Sequence, residues 1–202
     1  MEKKNGFLVA LTLFVLAVFA LSYINCSDIG VWKVEITSPA VVFALLVLTF
    51  PKFRFSNFSY FIISLWMVLH AIGAHYTFEK VPFDFITNTF GFDRNHFDRL
   101  AHFVIGLNSF CFAELFYRNK IVNGRFFAAV FGTLAIMAMA NAWELIEWIY
   151  AEIDGGKVGA AFLGSQGDIW DAQKDMLADN LGALAASVFY YLFSQNISAK
   201  GK

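Results

Sequence analysis

The sequence predicts an all-α, polytopic membrane helix bundle of about six transmembrane helices, with both termini cytoplasmic. Three observations predict it. Of 202 residues, 58% are hydrophobic and only 15% charged, against roughly a quarter charged in soluble domains; the mean hydropathy is +0.58. The apolar residues gather into runs close to the roughly 20 residues that cross a bilayer. Aromatics reach 18%, led by 25 Phe, which suits lipid-facing surfaces and interfacial belts.

The first run, 7–24, carries no charge and follows Lys3 and Lys4. Its flank lacks a small-x-small cleavage site, so it reads as a retained span rather than a signal peptide. The second, 32–50, is the weakest, because Lys33 and Glu35 confine its clean core to 39–50. The third, 58–75, holds His70, which reads as a core histidine bonded to a neighbouring helix. The fourth, 100–117, contains His102 and Glu114; Glu114 and Arg118 are spaced as an ordinary i,i+4 ion pair. The fifth, 126–150, contains Asn141, Glu144 and Glu147. The sixth, 171–193, carries Asp175 and Asp179 in its first turns.

Orientation follows from the loops. The connections 51–57 and 118–124 are short and basic (Lys52, Arg54, Arg118, Lys120), whereas Asp28, Glu79, Asp84, Asp93, Glu152 and Asp154 fall on the other side. An excess of Lys and Arg marks the cytoplasmic face. The chain reads as a single integral membrane domain, 1–202, in a bacterial cytoplasmic membrane, with the lipid bilayer as partner. A net charge of −1 gives no basis for nucleic-acid binding. Cys26 and Cys111 form neither a zinc spacing nor a disulfide framework. The two long outer loops, 76–99 and 151–170, are expected to be functional or disordered.

Ionisable residues inside spans are costly, roughly 2.5–3.5 kcal/mol each at a helix centre on insertion scales, and so mark functional sites by default. Three groups stand out. Asp98 and His102 are four apart on one helical face, where a carboxylate can fix a histidine tautomer; Asp98 also suits a plain helix start. Glu144 and Glu147, three apart, can bind a cation or share a proton; Glu147 can equally sit in interfacial water. Asp168, Asp171, Asp175 and Asp179 follow i, i+3, i+7, i+11, an arc of roughly 80° on a helix. Four like charges in one stripe need a cation, a basic neighbour or partial protonation. A solvated polar face accounts for Asp168 and Asp171 but not for Asp179.

At His75-Tyr76, Val81-Pro82, Arg94-Asn95-His96-Phe97-Asp98-Arg99 with His102-Phe103, Glu144-Leu145-Ile146-Glu147-Trp148, and Phe162-Leu163-Gly164-Ser165-Gln166-Gly167-Asp168-Ile169-Trp170-Asp171 with Asp175-Met176, the chain resembles the YjdF family of bacterial inner-membrane proteins. The resemblance covers most of the chain after the second span. It implies a polytopic cytoplasmic-membrane protein and no particular reaction. Gln173 fits its pattern; Asp179-Asn180 is less typical, and nothing is carried over there. Asp98-Arg99-Leu100-Ala101-His102-Phe103 is also similar to the D-K/R-x-x-H-F segment of VanZ-like membrane proteins, and Asp175 or Asp179 with Asn180 and Gly182 is partly similar to their late helix. That second resemblance implies an envelope or antibiotic-related role.

The leading expectation is one polar site near the outer face, built from the third to sixth spans. Its catalytic residues would be His102, Asp98 and Glu144. Its ligand-binding residues would be Arg99, His96, His75, Gln166 and Trp170. Glu147, Asp168, Asp171 and Asp175 would hold a divalent cation, which an Asp/Glu/His set favours over copper. The reaction would be metal-assisted hydrolysis or transfer on an envelope or lipid-linked small molecule. A proton- or ion-coupled transporter and a non-catalytic scaffold are the alternatives. Against transport, the last four spans hold no helix-breaking proline and the chain shows no internal repeat.

Overall fold

The computed structural model describes residues 5–154 and 165–194. Among them every regular element is helical, and six helical stretches are long and apolar enough to cross a membrane. The first three spans are α1 (Gly6–Tyr23), α2 (Ile29–Thr49) and α3 (Asn57–Tyr76). A short helix, α4 (Asp84–Phe90), occupies the first long loop, and the fourth span is built from α5 (Phe97–Gly106) and α6 (Ser109–Arg118). α7 (Arg125–Asp154) and α8 (Asp171–Phe193) complete the set, with a 3₁₀ turn at Ser165–Gly167. The glycines at 155, 156, 159 and 164 and the motif start at Phe162 lie outside the described residues.

Local chemistry sets the ends. Asp28 caps α2 by accepting from the Gly30 and Val31 amides at 2.7 and 3.1 Å, so the helix starts three residues earlier than hydropathy predicts. The charges that weaken this segment in sequence lie inside it, with Lys33 exposed and Glu35 buried. Ser56 caps α3 through the Ser59 amide. At the far end Thr77 and Phe78 both take left-handed backbone. This turn folds the Phe78 ring onto Gly73, where any side chain would collide with it.

The fourth span is broken, contrary to the continuous helix that the sequence predicts. At Leu107 and Asn108 the bonding shifts to i→i−3, from Leu107 N–H to Val104 and from Asn108 N–H to Ile105, while the Asn108 amide also donates to the Ile105 carbonyl at 2.9 Å. No proline is needed. A glycine, an asparagine and a serine in the four residues 106–109 weaken the helix enough.

The chain packs as two units, 1–101 and 102–202, with the boundary inside α5. In the first, α3 packs against both α1 and α2, burying Ile62, Ile63, Trp66, Met67 and Ala71. In the second, α7 packs against α6 and α8 through small residues: Ala113, Ala128, Ala129, Ala183 and Ala186. Many other large apolar side chains point outward, with Leu13 62%, Leu48 74% and Val188 57% exposed. Lipid is as apolar as leucine, so outward apolar side chains carry no penalty and close packing, helped by small groups, holds the spans together.

Candidate functional site

The inward stripe of α8 begins with charge. Asp171, Asp175 and Asp179 recur every fourth residue and are all buried, and the same stripe continues through Gly182, Ala183, Ala186, Ser187 and Tyr190. Two glycines bring α5 onto it. A side chain at Gly106 would run into the Asp179 carbonyl, and one at Gly182 into the Phe103 carbonyl. Without them the two backbones could not approach so closely.

This approach sets His102 between two carboxylates. Its Nδ1–H donates to Asp179 Oδ2 at 3.0 Å, and its Nε2 stands 3.6 Å from Asp175 Oδ1. The first contact is a hydrogen bond; the second is too long to be one. Asp179 is 1% exposed, and its other oxygen, Oδ1, has no hydrogen-bond partner among the described residues. A buried carboxylate oxygen left in that state is expensive. Asp98 stands one turn before His102 in the same helix, and Asp171 two turns before Asp179 in its own. Asp179, which the family resemblance did not reach, is the carboxylate that bonds His102; the four-residue spacing from Asp171 and Asp175 was the available signal.

Further along the second unit the polar groups are hydroxyls. Ser109 donates to the Ala183 carbonyl at 2.8 Å, and Ser187 lies 2.8 Å from Thr133 and 3.2 Å from Ser109. Glu114 pairs with Arg118 at 2.6 Å, the ion pair that the spacing predicts. On α7 the buried positions Ala129, Thr133, Ile136 and Ala140 are continued at the same spacing by Glu144, Glu147 and Ala151. Both glutamates are half-buried on that inward stripe.

Other expected site residues make contacts of their own. Asp168 precedes α8, pairs with Lys174 at 2.7 Å and accepts from the Trp170 amide. Gln166 takes left-handed backbone in the 3₁₀ turn with its side chain exposed, and Trp170 is exposed as well. In the first unit, Arg99 lies 3.8 Å from Asp98. His96 packs edge-on against Phe92, and its carbonyl accepts from Leu100. His75 joins α3 to the end of α1, its Nδ1–H donating to the Ser22 carbonyl at 2.9 Å while its own carbonyl accepts from Ser27. Asn95 pins the loop, donating to the Glu79 and Val81 carbonyls.

The first unit holds a second ionisable pair. His70 Nε2 lies 2.9 Å from Glu35 Oε2, with both side chains buried. Trp66 and Phe78 pack edge-on against the His70 ring. His70 is thus tied to a neighbouring helix as expected, by a residue that in sequence reads only as a blemish on the second span.

Comparison with known proteins agrees with a membrane protein. Residues 7–196 match the family model described as "Predicted membrane protein (DUF2238)". The chain is 34% identical over 186 residues to the inner membrane protein YjdF of Escherichia coli (strain K12), covering 91% of this chain and 88% of that protein. No solved structure matches. This multipass membrane protein therefore belongs to the DUF2238 family, to which the YjdF resemblance pointed.

Proposed function

We propose that this is a bacterial inner-membrane protein, with both termini cytoplasmic, that uses the His102 cluster as a divalent-cation site for hydrolysis or group transfer on a lipid-linked or envelope phosphate or glycosyl ester. The observation that carries this is a histidine gripped at one ring nitrogen by a buried carboxylate while its other nitrogen faces a second carboxylate at 3.6 Å. Two ligands of one tetrahedral zinc, each roughly 2.0–2.2 Å from the ion, stand roughly 3.4 Å apart. The Nε2–Oδ1 separation fits two ligands of one metal better than a hydrogen bond. Asp179 then plays the outer-shell part, fixing the tautomer that leaves the Nε2 lone pair available.

In this reading, His102 and Asp175 hold the ion. Asp98 and Asp171, one helical turn away from them along α5 and α8, add negative charge that favours a cation. A cation held by these residues would supply Lewis-acid chemistry to an ester oxygen or to water. Glu144 serves as the base and Glu147 supports it on the same stripe of α7. Arg99, His96 and His75 remain candidates for ligand recognition, and Gln166, Asp168 and Trp170 for the approach to the site.

The test is metal content of the purified protein after exposure to magnesium, manganese or zinc, followed by phosphate release from a polyprenyl diphosphate. The expected result is about one ion per chain. His102→Ala and Asp175→Asn should abolish it, and Asp179→Asn should weaken binding roughly 10- to 100-fold. A wild-type protein that binds no stoichiometric metal overturns the reading. If such a metal-free protein moved protons into proteoliposomes, the transport alternative would replace it.

A further inference from the structure

The first unit contains a groove at the end of the span bundle that carries Asn5 and Phe50. It encloses about 390 Å³ between α1, α2 and α3. Its walls are almost wholly apolar, with Leu8, Val15, Phe43, Leu46 and Met67 among them. It lies wholly within residues 5–67 and shares no residue with the His102 cluster.

A groove of this kind at membrane depth will be filled by something apolar, and the chemistry of its rim discriminates between occupants. An extended hydrocarbon chain is narrow enough to lie along it.

The mouth of the groove is charged. Arg54 donates through Nη1 to Asn5 Oδ1 at 3.1 Å, and its guanidinium sits 5.4 Å from the centre of the Phe50 ring. Asn5 and Phe50 both line the groove. Lys52, exposed on the same short connection, adds a second cation. A guanidinium presents a planar fork of donors that matches a phosphate in two-point contact. Apolar walls with a cationic rim complement one molecule of the bilayer: an anionic phospholipid, its acyl chain along α1 and α2 and its phosphate at Arg54.

We propose that the groove between α1, α2 and α3 is a binding site for one anionic phospholipid, selected by Arg54 at its mouth. A cation near an anionic headgroup favours it by about 1 kcal/mol, close to fivefold in affinity.

Native mass spectrometry of the full chain in mild detergent tests this, with dioleoyl phosphatidylglycerol and dioleoyl phosphatidylcholine as probes. The expected spectrum shows one retained phosphatidylglycerol per chain, preferred about fivefold or more over phosphatidylcholine. Arg54→Ala should remove the preference and Arg54→Lys should keep part of it. Leu46→Trp, which fills the groove, should reduce retention of both lipids. Equal retention of the two lipids by the wild-type protein overturns the proposal, whatever the variants do. So does an unchanged preference in Arg54→Ala, or a lipid-free dimer in place of the lipid-bound chain.

Discussion

Glu35 and His70 illustrate how a charge survives inside a span. Each is buried, and each has the other within 2.9 Å. Removing one partner of a buried pair leaves an uncompensated polar group and costs about 3–5 kcal/mol, whereas replacing both with apolar groups of similar volume is often close to neutral. His70→Ala should therefore destabilise the protein by that amount, and Glu35→Met combined with His70→Leu should recover most of the loss. Thermal unfolding in detergent reads both; a double variant as unstable as the single one would contradict the pairing. At this scale the sequence was half legible. Asp98 and His102 are visible together because four residues make one helical turn. The Asp179 that bonds His102 comes from 77 positions away, and Glu35 reaches His70 across 35. Local spacing carries no information about such pairs.

At the scale of elements, the contact between α5 and α8 rests on Gly106 and Gly182, each of which faces backbone of the other helix. Overpacking a tight contact typically costs about 1–3 kcal/mol, whereas one polar contact between membrane helices averages about 0.6 kcal/mol. Gly106→Ala and Gly182→Ala should each lower stability more than Ser187→Ala does, although Ser187 bonds to Thr133 and to the Ala129 carbonyl. The glycine variants should also weaken any metal bound at His102, since they separate it from Asp175 and Asp179. Denaturant titration of the three variants ranks them, and the opposite order would mean that hydroxyl bonds, not close approach, hold the second unit together. The spans themselves were readable to within a few residues, because hydropathy and length decide them. The break at Leu107 was not, because proline is the usual punctuation there and the weaker Gly-Leu-Asn-Ser run escapes a hydropathy reading.

For the whole molecule, the proposed topology takes the six candidate spans among the described residues as crossings, with both ends of the chain on one side. In that proposal the basic connections beside Arg54 and Arg118 face the cytoplasm, as the positive-inside rule favours. In a cysteine-free background, Asp93→Cys should react with a membrane-impermeant maleimide in intact cells and Asn119→Cys should not; the reverse labelling would invert the topology. The span count was legible because lipid is a uniform solvent that tests every outward side chain alike. The division into two packed units was not, since it depends on which small residues meet, and alanine and glycine occur along most of the spans.

The acidic stripe of α8 also constrains how the protein is made. Alone in the bilayer, this helix would turn Asp179, eight residues in from its start, toward hydrocarbon, at a cost of up to roughly 2.5–3.5 kcal/mol. That cost favours an insertion in which the carboxylate meets helices synthesised before it, so docking and insertion are expected to be coupled. The glycines at 106 and 182 supply the close approach that receives it.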